Sequence, residues 1–255
     1  MTKFNKAIVR TPCERMIDGL TTANLGKPNY HLAKDQHILY IEALQNCGLD
    51  VVVLEPDDNF PDSTFVEDTA LITPACAIIM NPVALTRRGE TVEIAEVLKK
   101  YYKNIEQICE PGTVDAGDIM MVDSHFYIGN SSRTNSVGAH QLIGILQKYG
   151  MTGSIITVED GLHLKSGVAY LEENYLVAMT AFANKTEFQR FHIIKIEDDE
   201  SYAANCVWIN GKVLIPAGFP KAKDNIKSYG YETIELDVSE FRKLDGGLSC
   251  LSLRF

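Results

Sequence analysis

The chain has 255 residues, enough to bury a sizeable core and near the upper limit of a single domain. Its composition is that of an ordinary globular protein, 45% hydrophobic and 23% charged, with a formal net charge of −10. That charge argues against nucleic acid or an anionic membrane as a partner, since both need a basic face, and no run approaches the ~18 apolar residues of a membrane span.

The opening residues MTKFNKAIVRTP hold no long apolar stretch of the kind a secretory signal needs. The cysteines Cys13, Cys47, Cys76, Cys109, Cys206 and Cys250 are scattered, with no Cys-x-x-Cys pair and no Cys/His cluster at zinc spacing. They are expected to be reduced thiols of a cytoplasmic protein, and all but Cys250 read as small core residues. No phosphate-binding glycine loop is present, so a nucleotide cofactor is not expected, and without a zinc-spaced cluster neither is a metal.

Two units alternate along the chain. The first is a pair of short apolar runs joined by a turn: FVEDTALI–PACAIIMNP from Phe65, DAGDIMMV–SHFYIGN from Asp115, HLKSGVAYL–NYLVAMT from His163 and ANCVWING–KVLIPAG from Ala204. A fifth, GGLSCLSLRF at the C-terminus, finds its partner in the N-terminal run KAIVRTP. The second unit is an amphipathic helix followed by a β-branched run. It appears in HILYIEALQNCGLDVVVLEP, with Ile38, Ile41 and Leu44 on one face, and in TVEIAEVLKKYYKNIEQICEPG, with Ile94, Val97, Leu98 and Tyr101. It recurs in GAHQLIGILQKYGMTGSIITVED, with Leu142, Ile143, Leu146 and Tyr149, and more briefly in KAKDNIKSYGYETIELD; the copy between Glu187 and Asp198 is degenerate. The repeats begin about 40 to 50 residues apart. Five such units predict one domain over residues 1–255, a closed five-bladed α/β propeller in which the N- and C-terminal strands pair. A doubly wound open sheet is the alternative, and the hairpins between helices fit it poorly.

The chemically interesting residues fall at one recurring place. Glu67 and Asp68, Asp115 and Asp118, His163, Asn205 and Cys250 all stand at or near the first strand of a hairpin. A pseudo-symmetric ring points equivalent positions at one axis, so these residues should meet around one pocket. A cysteine, a histidine and several carboxylates form an active-site constellation. Carboxylates bind a planar guanidinium through paired hydrogen bonds, and its resonance-stabilised carbon needs a nucleophile as strong as a thiolate.

The segments FPDSTFVEDTAL, PGTVDAGDIMMV, GLHLKSG and DGGLSCLSLRF resemble those of the dimethylarginine dimethylaminohydrolases, within the amidinotransferase/deiminase superfamily of five-bladed propellers. The resemblance runs from end to end. It implies Cys250 as nucleophile, His163 as general acid/base and Asp115 as the carboxylate that orients His163 and helps fix the guanidinium. It further implies that Asp68, with Glu67 beside it, holds the guanidinium and that Arg87 and Arg133 clamp the substrate's α-carboxylate. Asp62 would take the α-amino group, helped by backbone near Leu244 and Asp245 and by a lid over Gly19–Lys27 with Leu20 at its tip. The implied reaction turns Nω-methylated arginines into citrulline and methylamine or dimethylamine through a cysteine thiouronium.

Related arginine deiminases carry His-x-Asp where this chain reads His163-Leu164-Lys165, and losing that carboxylate leaves room for N-methyl groups. Two departures from the family pattern stand out: Asp115 where the bacterial members have Glu, and Asn81-Pro82-Val83-Ala84 where Arg-Pro-Gly-Ala is usual. Other guanidine chemistry, deimination or amidino transfer, and a non-catalytic arginine binder are the alternatives. The expected partner is a small guanidino compound, and the expected assembly a monomer or homodimer.

Overall fold

The computed structural model describes residues 3–159 and 163–255. Gly161 and Leu162, which open the GLHLKSG motif, lie outside the described residues. Among the described residues the strands form five sheets of three strands each. The first sheet joins β1 (Lys6–Arg10), β2 (Asp50–Leu54) and, from the far end of the chain, a strand at Leu253–Arg254. The second has β3 (Ala70–Ile72), β4 (Ala77–Ile79) and β5 (Ile105–Gln107); the third has β6 (Ile119–Val122), β7 (His125–Asn130) and β8 (Thr152–Thr157). The fourth has β9 (Val168–Tyr170), β10 (Tyr175–Met179) and β11 (His192–Ile196); the fifth has β12 (Val207–Ile209), β13 (Lys212–Pro216) and β14 (Glu232–Leu236).

Every sheet repeats one plan: an antiparallel pair, a hairpin in all but the first sheet, then a parallel pair closed by a crossover. Parallel strands need such a crossover, and helices supply it. They are α1 (Tyr30–Asn46), α2 (Glu90–Leu98), α3 (Ser136–Lys148), α4 (Thr180–Ala183) and α5 (Pro220–Ser228). The degenerate fourth unit is the one whose helix shrinks to a single turn, α4. The C-terminal strand, β15, pairs antiparallel with β1, and the Asn5 and Lys6 amides both donate to the Phe255 carbonyl. This is the five-bladed propeller expected from the repeats, closed as expected, and not an open sheet.

The core is divided in the same way. Five hydrophobic clusters each span two neighbouring sheets, so no sheet is buried without the next one round the ring. Ile8, Leu54 and Leu253 of the first sheet pack with Ile72, Ala77 and Ile79 of the second, for example. Two sequence readings need correction here. On α1 the buried face runs through Ala33, Gln36, His37, Tyr40 and Leu44, while Ile38 is 51% exposed. Tyr40 wins that face because its hydroxyl reaches the Leu248 carbonyl and Ser252 beneath the helix. Cys109 is exposed rather than core, since it lies past the end of β5 in a surface loop; Cys13, Cys47, Cys76 and Cys206 are buried.

The turn that precedes the first strand of each hairpin is what positions the site. These turns are 3-10 segments at Val66–Thr69, Ala116–Asp118, Leu164–Ser166, Asp198–Ala204 (broken by a kink at Glu200) and Ser249–Leu251. Asp68, Asp115, His163, Asn205 and Cys250 lie in or directly beside them. Among the described residues no helix is long and apolar enough to cross a membrane.

Candidate active site

Eleven residues enclose one cavity of about 30 Å³: Leu20, Asp62, Phe65, Asp68, Arg87, Arg133, His163, Leu244, Asp245, Gly246 and Cys250. Asp115 is fully buried against it, with Oδ2 3.1 Å from His163 Nε2. Asp68 Oδ1 lies 4.0 Å from the same nitrogen and accepts from the Gly117 amide at 3.0 Å. Gly117 is required there, because a Cβ at that position would come 2.8 Å from both Asp68 Oδ1 and His163 Nδ1. The Gly247 amide points at Cys250 Sγ, 3.4 Å away.

Burial and neighbours set the protonation of this cluster. Desolvation would lower His163, but Asp68, the hydrogen bond to Asp115, and Asp118 outweigh it and raise the imidazole to about 9. Desolvation would likewise raise Asp68, yet His163 and Arg87 bring it down to about 2. For Cys250 burial comes first, then the negative charges of Glu67 and Asp68, and all push its thiol up to about 12. The resting site therefore holds an imidazolium, an ionised Asp68 and a neutral thiol. Asp115 Oδ1 is buried with no hydrogen-bond partner among the described residues. An orphaned carboxylate oxygen is costly, so it marks a place where a donor is wanted.

Asp68, Asp115 and His163 bring potential ligand atoms within 4.8 Å of one another. The hydrogen bond to Asp115, the imidazolium and the Arg87 partner of Asp68 already account for these groups as an acid/base cluster.

Two residues expected to touch substrate sit differently. Glu67 faces away from this cavity and lines a second one, of about 160 Å³, on the ring axis. There it accepts from Lys165 Nζ at 2.7 Å, Arg254 Nη2 at 3.2 Å and Ser249 Oγ at 2.9 Å. Neighbouring residues of a 3-10 turn point about 120° apart, and Asp68 takes the pocket side. Arg87 lines the pocket, but its guanidinium is engaged: Nη1 donates to Asp68 Oδ2 at 2.7 Å, Nε and Nη2 to Glu90 at 3.1 and 2.9 Å, and Nη2 to the Phe65 carbonyl at 3.0 Å. Glu90 escaped the sequence reading, although an Arg and a Glu three apart at the start of a helix form a recognisable pair. Arg133 is freer, with Nη1 4.0 Å from Asp115.

The segment 19–27 is latched across the mouth. The Leu20 amide donates to Asp62 Oδ1 at 3.0 Å, Thr21 Oγ1 to the Lys243 carbonyl at 2.8 Å, and Thr22 through amide and hydroxyl to Asp245. Asp245 adopts φ 58°, which aims its carboxylate at that segment. Asn81 stands outside the pocket, bonding the Gly112 carbonyl at 2.7 Å, so the Asn81–Ala84 departure alters scaffold rather than site.

Sequence comparison agrees with this geometry. Residues 23–166 match the model of the family described as N,N dimethylarginine dimethylhydrolase, eukaryotic. The chain is 54% identical to the N(G),N(G)-dimethylarginine dimethylaminohydrolase of Pseudomonas aeruginosa, covering 99% of this chain and 100% of that protein. It is 33% identical to the enzyme of the same name from Streptomyces coelicolor, over 98% and 96% of the two chains. A cysteine-to-serine variant of the Pseudomonas aeruginosa protein complexed with citrulline superposes with a TM-score of 0.98 at 54% identity, covering 100% of each chain. The N-terminal domain of ArgZ, an arginine dihydrolase from cyanobacteria, shares the fold at 18% identity and a TM-score of 0.89, over 99% and 97% of the chains. The chain belongs to the dimethylarginine dimethylaminohydrolase family.

Proposed function

We propose that this protein hydrolyses Nω-methylated arginines to citrulline and an alkylamine. The observation that carries the reading is the buried Asp115 Oδ1, without a partner among the described residues, beside Asp68 and a pocket that holds Cys250 and His163. A guanidinium offers planar paired donors that suit two such carboxylates, and its charge compensates both. At the other end of the substrate, Arg133 receives the α-carboxylate, and Asp62 exchanges the Leu20 amide for the α-amino group as segment 19–27 opens. Arg87 serves chiefly to hold Asp68 in place, and Glu67 acts from behind the pocket.

Chemistry begins when the bound cation lowers the Cys250 thiol from about 12, and the thiol proton leaves to solvent. The thiolate attacks the guanidinium carbon, forming a C–S bond. The bond to the methylated nitrogen then breaks as the His163 imidazolium gives that nitrogen its proton, releasing dimethylamine or methylamine and leaving a thiouronium cation. Neutral His163 takes a proton from water, whose oxygen attacks the same carbon. The C–S bond breaks, citrulline departs and the remaining proton restores the thiol. Asp115 keeps the imidazole in register through both proton transfers, and the Gly247 amide supports the sulfur charge.

Lys165 favours alkylated over plain guanidines. It stands at the sequence position where deiminases carry a carboxylate but turns to Glu67, so residue 165 offers the pocket no acceptor. Acid-quenched turnover mixtures analysed by intact-mass spectrometry should carry the amidino adduct on Cys250, lost in Cys250→Ser. Citrulline release by that variant above a few percent of the parent rate would end the proposal.

A further inference from the structure

Asp118 is fully buried, lines no part of the substrate pocket, and is bonded on every side. Its Oδ2 accepts from Ser131 Oγ and from Thr134 Oγ1, each at 2.7 Å, and its Oδ1 from the Leu164 amide at 2.9 Å. The hydroxyls relay the contact onward. With its proton committed to Asp118, Ser131 Oγ offers its lone pairs to the amides of Arg133 at 2.9 Å and Thr134 at 3.2 Å. Thr134 Oγ1 likewise accepts from the Asp115 amide at 3.3 Å. One carboxylate thus ties together three segments from two sheets: the turn carrying Asp115, the loop carrying Arg133 and the turn carrying His163. Gly129 makes room for it, since a Cβ there would lie 2.6 Å from Asp118 Oδ1.

We propose that Asp118 is a positioning residue that sets two things at once: the register of the Asp115–His163 pair and the reach of Arg133 to the substrate's α-carboxylate. This rests on the methylarginine reading above. The alternative is that Asp118 merely stabilises the fold. A structural role predicts that its loss damages all substrates and all kinetic constants alike. A positioning role predicts that the two relays separate, because Ser131 and Thr134 lead to different groups. Hydrogen bonds to charged groups contribute about 1.5–3 kcal/mol, which is roughly a tenfold effect or more for each relay.

The experiment measures kcat and KM on Nω,Nω-dimethylarginine and on its decarboxylated analogue, dimethylagmatine. Ser131→Ala should raise KM for the amino acid about tenfold with kcat little changed, and should leave the analogue's KM alone. Thr134→Val should lower kcat about tenfold on both compounds with little change in KM. Asp118→Asn should do both, and Asp118→Glu should not restore either, because the longer arm cannot meet three donors at 2.7–2.9 Å. Equal losses on both compounds in all variants, or Ser131→Ala and Thr134→Val indistinguishable from each other, would overturn the proposal. Should the parent enzyme release no citrulline, the functional reading falls by itself. The His163 ring resonances in substrate-free protein then decide the inference: they must move in Asp118→Asn and stay fixed in Ser131→Ala, and unmoved resonances in both would overturn it.

Discussion

A half-buried nucleophile whose thiol lies near 12 should be almost inert until a cation arrives. An ordinary thiol has its pKa at 9.0 on the same scale, so at pH 8 the thiolate fraction of Cys250 is lower by about a thousandfold. Its causes are local: burial first, then Glu67 and Asp68. The perturbation is pH itself, applied to substrate-free protein and probed with iodoacetamide, which reacts with thiolate. Exposed Cys109 would react too, so the assay uses a Cys109→Ser background and follows loss of activity. The inactivation rate should climb close to tenfold per pH unit from 7 to 10 without levelling. Glu67→Gln should quicken it, because one of the charges that disfavour the thiolate is removed. A plateau reached by pH 7 would refute a neutral resting thiol and point instead to a preformed thiolate–imidazolium pair.

Four further outcomes are expected. With His163 held near 9 in the free protein, its imidazolium is the acid that releases the amine, so kcat/KM should fall as pH rises through about 9; a kcat/KM still rising at pH 10 would exclude that role. Arg87→Ala takes the cation from buried Glu90 and leaves Asp68 only the Gly117 amide and His163, which costs about 3–5 kcal/mol and should lower Tm by roughly 10 °C, read by calorimetry. A loss below about 1 kcal/mol would mean those carboxylates find other partners. Gly117→Ala drives a methyl between Asp68 and His163 and should cut kcat by at least about a hundredfold in a folded protein, checked by circular dichroism beside turnover. Lys165→Asp should fail to create arginine deimination, because this side chain faces the axial cavity and would set a carboxylate against Glu67; ammonia release from arginine by this variant would contradict that placement.

The five-fold plan was legible because periodicity is a collective signal. Four of the hairpins declare themselves in apolar runs, and the ring then requires the ends KAIVR and SLRF to meet. The pocket was legible for the same reason, since Asp68, Asp115, His163 and Cys250 occupy equivalent turns. What sequence could not supply was the direction of individual side chains. Glu67 and Asp68 are adjacent and chemically alike, yet one faces the substrate pocket and the other the axial cavity, a choice made by Lys165, Arg254 and Ser249 from distant parts of the chain. The resemblance implied Arg87 as a carboxylate clamp, and only the neighbourhood of Asp68 and Glu90 reveals that its donors are already engaged. On α1, Ile38 looked like core by spacing, but helical spacing fixes a face only up to rotation, and the bonds of Tyr40 turned the helix. Asp118 was legible as a member of the constellation, but its place behind the pocket was not, because its partners Ser131, Thr134 and Leu164 come from other segments.

The most direct measurement is product analysis of the purified protein with asymmetric dimethylarginine, monomethylarginine and arginine, quantifying citrulline and the released amine together. Citrulline with an equal amount of dimethylamine or methylamine, and little from arginine, is the expected result. Ammonia released from arginine, with the methylated compounds untouched, would contradict it and make this pocket a deiminase site.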